Sequence, residues 1–81
     1  MTTREWLLKI AKAVEDWRTM PKDDVPVAIS VSTPAGAVEY IVSKHVPTEE
    51  RATVRAVLPT LTTDDFAAAA LQIREAAEAL D

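Results

Sequence analysis

His45 is the single histidine of this chain, two residues after Ser43 and six after Glu39. A histidine, a hydroxyl and a carboxylate are the ingredients of general-base and nucleophilic chemistry, provided the base can hydrogen-bond to both partners. The spacing argues against that use. Glu39, Ser43 and His45 alternate with Val38, Tyr40 and Val42, the pattern of residues on opposite faces of a strand. Neighbours on one strand face stand about 7 Å apart, too far for a direct Ser43–His45 bond. The reading for His45 is a solvated strand end, with no triad.

Three acidic pairs, Asp23-Asp24, Glu49-Glu50 and Asp64-Asp65, raise the question of metal binding or acid–base work. Adjacent carboxylates do not point at one centre, and the last two pairs precede helical patterns, where a helix N-terminus favours negative charge. A calcium loop needs alternating oxygen ligands and its own glycine. The chain has one glycine, Gly36, so glycine-rich phosphate loops are excluded as well. With no cysteine there is no disulfide, zinc–thiolate site or thiol nucleophile. Lys44, His45, Arg51 and Arg55 could gather into a basic corner, but Glu49 and Glu50 interrupt it. The expectation is a chain with no catalytic residue, no cofactor and no metal ligand.

What remains is contact chemistry. Trp6 and Trp17 are eleven residues apart and so share one face of a helix. One tryptophan anchors a small core readily. Two on one helix imply that one of them reaches a partner surface, where tryptophan is enriched. Asp64, Asp65, Glu75 and Glu78 make the last segment acidic. Ile41 is an apolar residue on the outward side of its strand. These seven are the candidate partner-binding residues.

The elements that must position them follow from periodicity. Trp6, Leu7, Ile10, Val14 and Trp17 predict a helix over about 3–19, capped by Thr2 or Thr3 with Glu5 in its first turn. "MPKDDVP" ends it, because each proline restricts the residue before it. Val27, Ile29 and Val31 alternate with small or polar residues, as do Val38, Tyr40 and Val42. Between them, "TPAGA" reads as a hairpin loop, with Pro34 at the first corner and Gly36 in the left-handed conformation. A hairpin over about 26–46 is expected. Thr48 then caps a helix of about 49–58, whose apolar side is Val54, Val57 and Leu58. A last helix of about 63–80 starts at Thr62 or Thr63 and carries Phe66, Ala70, Ile73, Ala77 and Leu80 as its stripe. The fold class is therefore α+β, in the order α-β-β-α-α, with one antiparallel hairpin packed against helices. Both hairpin strands are edges, open to a third strand from a partner or a second copy.

Eighty-one residues form one domain, 1–81, and its 48% hydrophobic content exceeds that of a disordered chain. The first 17 residues carry charges throughout and contain no apolar run, so neither a signal peptide nor a membrane span is expected, and a cytoplasmic placement is the default. The net charge of −4 is unevenly spread. Residues 1–22 hold five cations and three acids, whereas residues 62–81 hold five acids and one cation. An acidic chain is repelled by phosphate backbones, which disfavours nucleic acid. The function expected is a small non-catalytic protein-binding module, an inhibitor or adaptor of antitoxin, immunity or phage-inhibitor type, whose partner presents a basic surface and which can pair as a homodimer. The alternative is a small dimeric nucleic-acid-associated regulator, which requires Lys9, Lys12 and Arg18, or Lys44, Arg51 and Arg55, on one face.

Overall fold

A computed structural model describes residues 1–17 and 33–80, and these residues form four helices: α1 (Thr3–Glu15), α2 (Pro34–His45), α3 (Thr48–Val57) and α4 (Phe66–Glu78). Among the described residues there is no strand, so the α+β class and the hairpin are overturned in favour of a small helical domain. The first expected strand, with Val27, Ile29 and Val31, lies outside the described residues, as do Arg18, Asp23 and Asp24. The second expected strand is the body of α2.

The reason lies in "TPAGAVEYIVSKH". Thr33 is extended and its hydroxyl oxygen accepts a hydrogen bond from the Gly36 amide at 3.1 Å, while Pro34 occupies the first helical position. Threonine at the N-cap followed by proline is a helix start, since proline's fixed φ suits the first turn and its missing N–H is not needed there. No glycine has a positive φ, so Gly36 is not the left-handed corner of a turn. The buried residues of α2 are Pro34, Ala37, Val38, Ile41 and Val42, which recur three and four apart as one side of a helix does. Under a period of two, Ile41 is an exception facing outward. Under a period of 3.6 it is central, and it is only 2% exposed.

α1 opens with a reciprocal cap: the Glu5 amide donates to the Thr2 hydroxyl at 3.1 Å, and the Thr2 amide donates to the Glu5 carboxylate at 2.9 Å. These bonds hold the Glu5 carboxyl below the ordinary glutamate pKa, the Thr2 backbone bond contributing most. α3 starts one residue earlier than the sequence suggests. Pro47 stands at its N-cap without a side-chain bond, and Thr48 is its first helical residue, not its cap. α4 starts later. Asp65 is its N-cap, accepting from the Ala67 amide at 3.0 Å, and the Thr63 hydroxyl in turn accepts from the Asp65 amide.

Packing is organised around α1. It touches each of the other three helices and meets α4 over by far the largest contact. Leu7, Ile10, Ala11 and Val14 of α1 and Ala69, Ala70, Ile73 and Ala77 of α4 are all fully buried. The first turn of α1 lies beside the last turn of α4, where Thr2, Thr3 and Arg4 share a cleft with Ala79 and Leu80. At the other end Glu15 pairs with Arg74 at 2.6 Å, so the two helices run in opposite senses. α2 and α3 close the remaining sides. The Trp6 indole N–H donates to Glu50 of α3 at 3.2 Å. Trp17 meets Tyr40 of α2 edge to face, with ring centroids 5.4 Å apart, a geometry that aromatic quadrupoles favour.

Two outcomes follow. Ile73→Ala should cost about 2–5 kcal/mol in urea unfolding, whereas Leu71→Ala on the opposite side of α4 should stay within about 0.5 kcal/mol. Glu5 has a lowered folded-state pKa, so its contribution is present above the unfolded glutamate value and is lost as pH falls through the folded one. Glu5→Gln can still accept the Thr2 amide, and should flatten that part of the acid limb of a stability–pH profile.

Candidate protein-contact surface

Because Ala69, Ala70, Ile73 and Ala77 face α1, the residues half a turn away must face outward. Ala67, Leu71, Glu75 and Glu78 are the exposed positions, at intervals of four, four and three, and so form a single line along α4. Asp64 precedes that line by three residues and is exposed too. The result is an acidic ridge with an apolar centre. Leu71 is 55% exposed, and Asp64, Glu75 and Glu78 take no part in an ion pair among the described residues.

A second strip lies alongside it. On α1, Arg4, Leu8, Lys12 and Glu15 recur at intervals of four, four and three and are all exposed. The Glu15–Arg74 ion pair joins this flank of α1 to a flank of α4. Leu8 is seven residues from Glu15, and Leu71 is three from Arg74, so both leucines open onto the same face. Met1, Leu8 and Leu71 are the large hydrophobic side chains left exposed among the described residues.

The residues singled out from the sequence divide in two. Glu75 and Glu78 are on this face, and Asp64 is exposed just before the N-cap of α4. Asp65 is exposed as well, but its carboxylate is engaged as the cap of α4. Trp6, Trp17 and Ile41 are core residues, at 7%, 3% and 2% exposure. The surface role inferred for one tryptophan rested on a core too small for two. α1 solves this by directing Trp6 toward α3 and Trp17 toward α2, at opposite ends of the domain. Trp6 also walls a cleft of about 240 Å³ between α1 and α2, with Ile10 and Ile41 at its base and Lys9 and His45 among its lining. The Lys9 ammonium sits 5.4 Å from the centre of the Trp6 ring.

The other chemical candidates resolve into structure. On a helix, Ser43 and His45 diverge by more than half a turn, and Glu39 pairs with Arg55 at 3.3 Å. The basic corner is largely engaged. Arg51 donates from Nε to the Val46 carbonyl at 3.0 Å and from Nη2 to the Ser43 carbonyl at 2.8 Å, satisfying the C-terminal end of α2. The Lys44 ammonium lies 5.9 Å from the centre of the Tyr40 ring, and Lys12 pairs with Asp16 at 3.0 Å. No three histidine, aspartate or glutamate side chains converge as a metal site among the described residues, and no described helix is long and apolar enough to cross a membrane.

Leu8 and Leu71 are the residues that the sequence reading missed. The signal was available: each falls outside the apolar stripe of its own helix, Leu71 between the stripe residues Ala70 and Ile73. No family model, curated protein or solved structure matches this chain.

The role of Arg51 has a direct check. Arg51→Ala should lower stability by about 1–3 kcal/mol in chemical denaturation, through two carbonyls left without their charged donor. Arg51→Lys, which cannot reproduce the fork, should recover only part of that loss.

Proposed function

We propose that this chain is a small non-catalytic protein-binding module, an inhibitor or adaptor, whose contact surface is the outer ridge of α4. The observation that carries this reading is Leu71, largely exposed on one line with unpaired carboxylates. Single exposed leucines are common. This one is joined on its face by Leu8, and is followed along its helix by Glu75 and Glu78. An apolar centre inside a charged rim is the layout of a protein contact. The rim carboxylates steer and orient a partner that presents cations, and they repel nucleic acid.

The nucleic-acid reading finds no comparable support. Lys12, Arg51 and Arg55 each have an intramolecular partner, and no described face gathers free cations away from carboxylates.

The test is affinity capture from a lysate of the source cell, after nuclease treatment, with three baits: the wild type, Leu71→Asp, and the Glu75→Gln/Glu78→Gln pair. A protein retained by the wild type, lost with Leu71→Asp and released at lower salt by the glutamine pair is the expected result. A retained set identical for all three baits would remove the ridge from the function.

A further inference from the structure

The outer face of α1 and α4 carries its own complement. Along α1 the exposed strip offers Arg4 one turn before Leu8, whereas Lys12 one turn after it is already paired with Asp16. Along α4 it offers Glu75 and Glu78 after Leu71. The one acid on the α1 strip, Glu15, is already neutralised across the seam by Arg74. The α1 side of the face therefore presents Arg4 as its available cation beside a leucine, and the α4 side presents Glu75 and Glu78 beside a leucine. We infer that a second copy of this chain covers the face, in a twofold dimer in which α1 of each copy lies over α4 of the other. The inference rests on the contact ridge proposed above and names its resting occupant.

Charge selects this arrangement over its alternative. A twofold axis across the helices would stack α4 on α4 and set carboxylates against carboxylates, an arrangement that like-charge repulsion disfavours. An axis along the helices places each α1 over the partner's α4. The direction of the pair then fixes the register. The first turn of α1 lies beside the last turn of α4 within one chain, so in the dimer Arg4 meets the end of the opposing α4, where Glu75 and Glu78 are exposed. The same contact forms twice, as an isologous interface requires. Leu8 and Leu71 from both copies lose water between the two charged zones.

The size of the face sets the strength. Two helices of 13 residues present a surface about 20 Å long and about 20 Å wide. That is about 400 Å² per copy, about half of a standard interface. A dimer with an interface of that size belongs to the weak, reversible class. A partner with a larger basic surface would displace it, which leaves the ridge covered at rest and open to exchange.

The experiment is sedimentation equilibrium of the full chain from about 10 μM to about 1 mM, at low and high salt. The weight-average mass should rise from the 8.8 kDa of one chain toward twice that value, and the rise should shrink at high salt. Leu71→Asp should abolish it. Arg4→Glu and Glu78→Arg should each abolish it alone, and the double variant should restore it. Neither residue has an ion-pair partner among the described residues, so circular dichroism should show each variant folded. A single 8.8 kDa species at every concentration overturns the dimer, and so does association that persists unchanged in Leu71→Asp or Arg4→Glu. If the chain is monomeric while Leu71-dependent capture of another protein persists, self-association falls and the module reading stands. If dimerisation depends on Leu71 while capture does not, the dimer stands and the module reading falls.

Discussion

The close approach of α1 and α4 is the constraint on which this small domain depends. Ala11 on one helix and Ala69, Ala70 and Ala77 on the other are fully buried, and side chains of that size let two helix axes come near the lower end of the usual 8–10 Å separation. Each alanine removes little apolar surface from water, so the stabilisation comes from contact density and from the larger Leu7, Ile10, Val14 and Ile73 set between them. A larger residue at any of these alanines would push the helices apart and loosen the remaining contacts together.

With one side of α1 occupied by α4, its other sides are free to organise α2 and α3. The two tryptophans do this from its two ends. Trp6 ties α3 through Glu50 and Trp17 ties α2 through Tyr40, so each large ring serves both as core volume and as a directional contact. Polar side chains complete the frame. Arg51 satisfies carbonyls that α2 could not satisfy itself, and Arg55 links α3 back to Glu39. The groups that looked reactive along the chain are thus mostly the fastenings of a four-helix assembly.

The same packing creates the contact face. Burying the alanine side of α4 leaves Leu71 and its carboxylates outside, and the Glu15–Arg74 pair aligns that ridge with the Arg4–Leu8–Lys12 strip. A surface built from two helix flanks inherits its register from the core. Changes inside the α1–α4 contact should therefore reach the face without touching any residue on it.

Much of this was legible in the residues, and the rest was not, for physical reasons that differ from place to place. Apolar stripes marked α1, α3 and α4, and a threonine cap with Glu5 marked the start of α1, whereas α3 and α4 are capped by Pro47 and Asp65 rather than by the expected threonines. The acidic character of Asp64, Glu75 and Glu78 was equally plain. The stretch from Val38 to Val42 was not decided locally. Branched and aromatic residues suit a strand, and their alternation conceals a helical side whose marker is Ile41. Composition alone determined the missing chemistry of cysteine and glycine-rich sites and the acidic character of the last segment. Only tertiary structure decided that both tryptophans fit inside and that Leu8 and Leu71 share one face, because each depends on which side of a helix the rest of the chain covers.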